Sequence, residues 1–572
     1  LIDLKMYSVF RNLFMCNSRV LTSVEKEGLY LDRDFNQKLL EEYKPKIDAA
    51  RQAIYDLPRV KKFTKKYNQG KIERYIESIY QELEELDYND PKDKRKIDSR
   101  QQKISNIRAG IFTTKKEQEL IRPLNLGSPV DLPQLMYSDS GFKFPVIKNN
   151  ESGKPSTDED TLVELRLTIK DPESPKAIFL DKLLELRGLQ KMYTTYIEGW
   201  HEKVQDDSRL HGRYNIHGTD SNRFSSADPN MQQIPKTSVD PNIKKQLVAP
   251  PGYLYMAFDY SQAELRMMAH LSGDETYLEA FAKGVDPHLG IAAAKYGVSI
   301  EEASKAYEDE THPDYKLWKV RRKQAKQIAF GLIYGIGNKL LAVKLSDPKA
   351  GIIVTPEEAA KEMEVFFGQH PKIRKFKEKQ EKFLRKHGYY TQLFGTKRRL
   401  PQIYSNDKQE VAYAIRLGLN FPCQGAAANM TNFGAILVYW LMRQGKLPMM
   451  KEACTVHDAV YMYSKPQDIN TWTVYTIWNI LRNPSTKRYF GFQVDDVDMD
   501  MDFTIGRTMA EELPFIPGYD YRKMLQPDFS VEEYMEEHKK YKHIHIKQFK
   551  ERFNKQIKRY EKDFEWTHSM AS

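Results

Sequence analysis

The sequence predicts an α+β chain built from several subdomains, and three observations point there. The run Tyr253-Leu-Tyr-Met-Ala-Phe is dense in aromatic and aliphatic residues, reads as a buried strand, and delivers a lone acid, Asp259, just before a Ser-led segment of helical spacing. Two further β-prone runs, one ending at Val456 and one starting at Ala459, flank His457-Asp458 and place that dipeptide at the tip of a hairpin. Around these strands lie helical patterns over 32–58, 72–86, 321–335, 338–417 and 425–442. A chain of 572 residues is also too long for one ordinary core.

Composition narrows the function classes. A net charge of +10, from 89 basic and 79 acidic residues, has the sign expected of a protein that tracks a phosphate backbone. The three cysteines, Cys16, Cys423 and Cys454, are too widely spaced for a disulfide framework or a zinc site, which predicts a reducing, cytoplasmic setting. Arg11 and Arg19 interrupt the apolar residues of the N-terminus, so no secretory leader is read there. The chain opens on Leu, and an upstream segment is expected to have been removed. Gly425 to Met442 is uncharged and long enough to suggest a membrane span, but it contains Asn429, Thr431 and Asn432 and lacks suitable flanks. It is read as a buried helix, and no membrane partner is expected.

The two strand-end acids carry the chemistry. A carboxylate on a rigid element facing solvent suits a hard cation such as Mg2+, which takes oxygen ligands and leaves positions for substrate phosphates. A single Asp there also serves as a turn residue or helix cap. Two such acids brought together would hold two ions about 4 Å apart, the arrangement used for in-line phosphoryl transfer. Asp259-Tyr260-Ser261-Gln262-Ala-Glu264-Leu-Arg266 resembles motif A of the family A (polymerase-I-like) DNA polymerases, and Val456-His457-Asp458 is similar to their motif C. The resemblance implies a right-hand polymerase fold with an antiparallel palm sheet and mainly helical thumb and fingers. It implies DNA-templated addition of dNTPs to a primer 3′ end, in genome replication. Asp259 and Asp458 would be the catalytic residues and, with the backbone carbonyl of Tyr260, the ligands of two Mg2+ ions, with Mn2+ able to substitute.

Arg322, Lys326, Phe330 and Tyr334 recur every four residues and fall along one slowly drifting helix face. At about 1.5 Å per residue the stripe runs roughly 18 Å, the span of a nucleotide from triphosphate to base. Such a stripe also suits a basic helix that packs its rings into a core. Arg-x-x-x-Lys-x-x-x-Phe-x-x-x-Tyr-Gly is similar to motif B, the fingers helix of the same family. The resemblance assigns dNTP binding to Gln262, Glu264, His288, Arg322, Lys326, Phe330 and Tyr334. Arg322, Lys326 and His288 would face the phosphates, Phe330 the sugar and base, and Tyr334 the templating pocket. Phe at 330 implies poor acceptance of dideoxynucleotides. Glu264 beneath the sugar would exclude a ribose 2′-hydroxyl.

The run Ser221-Asn222-Arg223 through Pro235 is rich in Asn, Ser and Pro, reads as a loop, and resembles the family's primer-template motif. The resemblance implies that Arg223 binds DNA through minor-groove acceptors that all base pairs share, and that Asn420, Gln424 and His457 supply a second set of minor-groove and primer-end contacts. Asn420 is expected to open the uncharged helix. Motif C departs from the usual His-Asp-Glu: Ala459 stands where the second acid is expected, which bears on placement of the primer end. Gln327 and Ala329 also depart from common motif B residues.

The expected organisation is a lead-in at 1–30, a thumb at 31–200, palm at 201–270 and 418–515, fingers at 271–417, and a helical extension at 516–572. The thumb carries an inserted helical segment at about 58–120, with a Lys-rich connector before Ile72. An apolar stripe at Ile546, Phe549, Phe553, Ile557, Tyr560 and Phe564 lies in the extension. A replication accessory protein is an expected partner at the insertion or the extension, beside primer-template DNA and dNTPs. No exonuclease motif is found. The rival readings are a related single-subunit RNA polymerase and a catalytically inactive DNA-binding scaffold.

Overall fold

The computed structural model describes residues 6–346, 354–456 and 458–541. His457 and the stripe from Ile546 to Phe564 lie outside the described residues. The chain divides into two compact units. Among the described residues the larger takes in those up to Leu40, Tyr193–Leu345 and those from Val354 onward; the smaller is built from Glu41–Met192.

The larger unit is organised on a five-stranded antiparallel sheet. Its strands are β1 (Leu254–Tyr260), β2 (Lys451–Val456), β3 (Ala459–Ser464), β4 (Met501–Gly506) and β5 (Leu513–Pro514), and they lie side by side in the order β5-β4-β1-β3-β2. Because side chains alternate along a strand, β1 sends Leu254, Met256, Phe258 and Tyr260 into one core and turns Tyr255, Ala257 and Asp259 to the other face. Phe503 stacks on Phe258 with ring centroids 4.6 Å apart, and β4 thereby buries the same face as β1.

Four helices matter to the site: α1 (Ala263–Ser272), α2 (Tyr315–Ile333), α3 (Pro371–His387) and α4 (Lys408–Arg443). The uncharged stretch is a buried helix, as its polar residues suggested. Its start, however, was misplaced. The α4 helix begins at Lys408, capped by Asp407, and runs through Asn420 and Pro422 without ending. Pro422 lacks the N–H that would bond back one turn, yet burial of residues such as Phe421, Cys423 and Ala426–Met430 holds the helix continuous. No helix among the described residues is long and apolar enough to cross a membrane.

In the smaller unit the expected Lys-rich connector is helical. One helix spans Pro58–Glu84, with Pro58 at its first turn. Lysine is a good helix former, and Val60 and Phe63 are buried on this helix while Phe63 stacks on Tyr67 at 5.3 Å, so these turns carry an apolar stripe of their own. Ile79 and Leu83 then meet Ile97, Ile104 and Ile107 of the Pro91–Arg108 helix in a separate small core.

The first part of the C-terminal extension belongs to the larger unit's core. Tyr521, Met524 and Tyr534 are buried with the sheet, and the Tyr534 hydroxyl donates to the Pro514 carbonyl at 2.6 Å.

Candidate active site

The sheet register builds the acidic centre. Asp259 on β1 sits directly opposite Ala459 on β3 and directly opposite Asp502 on β4. Directly paired residues of an antiparallel sheet share a face, with Cβ atoms about 5 Å apart. Val456 at the end of β2 pairs with Ala459 at the start of β3, so the expected hairpin is present, and Asp458 in its turn lies beside that row. Solvent reaches Asp259, yet enough protein surrounds it that desolvation, then the charges of Asp458 and Asp502, push its carboxyl up to about 6. Lys236 and Lys244 pull the other way.

Two residues carry β1 into α1. Gln262 is in the left-handed region at φ +59, an uncommon conformation for a side chain of its size, and its Oε1 is buried without a hydrogen-bond partner among the described residues. This tight exit places Glu264 in the first turn of α1, 6 % exposed. Burial pushes Glu264 up to about 7 against the opposing charge of Arg223. Arg223, expected to donate to DNA, lies beside the acids: its guanidinium pairs with Glu264 and lies 3.4 Å from Asp458 Oδ1. The Tyr260 side chain is buried, its hydroxyl donating to Leu481.

The stripe on α2 is continuous. Arg322 donates to Asp286 Oδ2 from Nε at 2.8 Å and from a terminal nitrogen at 2.5 Å. Lys326 Nζ lies 5.6 Å from the Phe330 ring centre, and Phe330 lies 5.9 Å from Tyr334, which ends the helix. Burial and the neighbouring Lys236 and Arg322 lower the Lys326 pKa. His288 is fully buried, 5.6 Å from Phe330, with neither ring nitrogen hydrogen-bonded among the described residues. Desolvation lowers it to about 4, so it is a neutral ring near neutral pH. Asn420 donates to the Tyr334 carbonyl at 3.3 Å and keeps a buried Oδ1 without a partner among the described residues. Gln424 follows one turn later, half-buried.

Sequence reasoning missed four contributors. Lys236 acts electrostatically on both Asp259 and Lys326, so its charge is felt at the acids and at the cationic end of α2 alike. Asp286 holds Arg322 while capping the helix that starts at Pro287. Lys377 on α3 donates to the carbonyls of Leu332 and, at 3.0 Å, Ile333, closing the C-terminal end of α2. Asp502 is the fourth, and the alternation Asp498-Met-Asp500-Met-Asp502 was its signal.

No group of three or more His, Cys, Asp and Glu side chains poised to hold a metal ion occurs among the described residues. The donor set nevertheless fits divalent cations. Asp259 and Asp458 are hard oxygen donors, and Asp259 has no side-chain hydrogen bond or ion pair among the described residues while burial, then the charges of Asp458 and Asp502, already disfavour its bare carboxylate.

A sheet that gathers carboxylates on one face, served by a helix graded from cations to rings, defines the palm-and-fingers class of nucleotide polymerases. The chain belongs to DNA polymerase family A, whose family model matches residues 94–511. It is 34% identical over 324 residues to DNA polymerase I of Pseudomonas aeruginosa, a match that covers 56% of this chain and 32% of that protein. To the thermostable DNA polymerase I of Thermus aquaticus it is 32% identical over 364 residues, covering 63% of this chain and 39% of the relative. The chain thus spans about a third of the length of the curated relatives it matches. Among solved structures, the POL domain of Pol1 from M. smegmatis, in complex with DNA primer-template and dNTP, shares the fold at a TM-score of 0.65 and 24% identity, covering 90% of this chain and 72% of that one.

Proposed function

We propose that the chain is a DNA-templated DNA polymerase that extends a primer 3′ end with dNTPs. The observation that carries this is the convergence of Asp259 and Asp458 at the end of one sheet, within the larger unit that also bears the Arg322-to-Tyr334 stripe. Asp259, Asp458 and the Tyr260 carbonyl would hold two Mg2+ ions, with Mn2+ able to substitute. Bound there, the ions would supply the charge that activates the primer 3′-oxygen and steadies the leaving pyrophosphate.

The protein's own residues do the rest. Arg322, fixed in direction by Asp286, and Lys326 meet the triphosphate, and Lys236 adds a third positive charge from the Gln233-Ile-Pro-Lys236 loop. Phe330 and Tyr334 present ring faces to sugar and base. Buried Glu264 fills the space beneath the sugar and discriminates against ribose by bulk. Arg223 spans Glu264 and Asp458 in the free protein and exchanges these partners for the minor groove when primer-template enters, where His457, Asn420 and Gln424 would join it. His288, neutral and buried, offers at most one N–H toward a phosphate.

We assign the smaller compact unit to the thumb, residues 201–270 and 418–515 to the palm and 271–417 to the fingers, acting in the cytoplasm in genome replication. An accessory protein at the helical insertion remains part of this reading. Primer extension on a primed DNA template tests it: dNTPs with Mg2+ should support extension and chelation should stop it. Preferential use of rNTPs would favour the RNA polymerase reading, and tight DNA binding with no synthesis would favour the inactive scaffold.

A further inference from the structure

The acids that alternate along the approach to β4 do not share one fate. Asp496 pairs with His270 at 2.6 Å, Asp498 with Arg482, and Asp500 lies 3.8 Å from Arg266. Asp502, the last of the series, has no side-chain hydrogen bond or ion pair among the described residues. It stands directly opposite Asp259, which also has none. Two adjacent carboxylates repel each other; Lys236 and Lys244 offset part of the charge at Asp259 and Arg266 part of it at Asp502, yet none of them pairs directly with either acid among the described residues, which leaves room for a bound cation.

The row across the three central strands reads Ala459, Asp259, Asp502. The place on the β3 side of Asp259 holds a methyl group, buried at 5 % exposure. Its counterpart on the β4 side holds a carboxylate open to solvent. The row therefore offers acid on one flank of Asp259 only.

We propose that Asp502 is a positioning residue of the cation site, supplying from β4 the second carboxylate that Ala459 cannot supply from β3. This rests on the reading of Asp259 and Asp458 as cation ligands. Among the described residues, no three acids are drawn tightly enough together to share direct coordination. Asp502 accordingly acts from the outer ring, accepting hydrogen bonds from water on the cation and adding its charge. Partners of this kind change metal affinity about 10- to 100-fold when removed.

The test is Mn2+ binding to the full chain, followed through the electron paramagnetic resonance signal of free Mn2+. The proteins are the parent, Asp502→Asn, the double variant Ala459→Glu/Asp502→Asn, and Asp259→Asn. Asp502→Asn is isosteric at a solvent-exposed position, and Asp495→Asn, another exposed acid nearby, serves as the control expected to match the parent. The expected result is about a 10-fold weaker affinity in Asp502→Asn, recovered to within about threefold of the parent by Ala459→Glu. A loss smaller than about threefold, or one that the double variant does not recover, overturns the proposal. If Asp259→Asn weakens Mn2+ binding while Asp502→Asn does not, only this inference fails. If Asp259→Asn also leaves binding unchanged, the cation-site reading itself fails.

Discussion

Glu452 gives the sharpest stability prediction. It lies on β2, 4 % exposed, and neither carboxylate oxygen has a hydrogen-bond partner among the described residues. Burial alone pushes its carboxyl from the usual 4.5 up to about 8. A carboxyl whose folded pKa is raised holds its proton in the native state over a pH range where the unfolded chain has already lost it. Stability is therefore fully present below about pH 4.5 and declines as pH rises toward 8. Each pH unit within that window costs about 1.4 kcal/mol, and the total reaches roughly 5 kcal/mol. Glu452→Gln keeps the shape and removes the titration. Thermal melting of both proteins from about pH 5 to about pH 9 should show the parent falling away from the variant as pH rises, by several degrees at the alkaline end. Two curves that stay parallel would show that Glu452 is solvated or paired in solution and would refute the reasoning.

Three further outcomes are expected. Glu264→Ala opens the space beneath the sugar and should lower the preference for dNTP over rNTP by on the order of 100-fold, read from single-nucleotide incorporation. Lys377→Met leaves the Leu332 and Ile333 carbonyls without their donor and should destabilise the protein by about 1–3 kcal/mol, with faster amide exchange at the end of α2. Tyr534→Ala empties a buried site in the main core and should cost about 3–5 kcal/mol in urea unfolding, whereas a freely solvated extension would show no change.

Much of the fold was legible because local pattern and tertiary role agree. The β1 run is apolar on both faces, and Asp458 falls between two β-prone runs that pair, so strand and hairpin followed from spacing alone. The α2 stripe was legible for the same reason. Element ends were harder. The run from Asn420 was read as a helix start, but α4 continues through it because burial along the helix outweighs the one hydrogen bond that Pro422 cannot make. The lysines after Pro58 suggested a connector, although Val60, Phe63 and Tyr67 already marked a helical stripe.

At the site, single residues could be named but not their partners. Arg223 was read as a DNA contact, and nothing in its neighbourhood announces that Glu264 and Asp458 hold it in the free protein. His288 was read as a phosphate contact, while only packing shows a buried, neutral ring against Phe330. Asp502 escaped because register is a property of paired strands, and the pairing with Asp259 exists only once β4 is laid beside β1.

The most direct measurement is single-turnover addition of one dNTP to a bound primer-template by the parent, Asp259→Asn and Asp458→Ala, with DNA affinity measured alongside. Both variants should bind the primer-template within a few-fold of the parent and lose incorporation by about 1,000-fold or more. Incorporation by either variant at the parent's rate would contradict the assignment of this carboxylate pair as the centre of the chemistry.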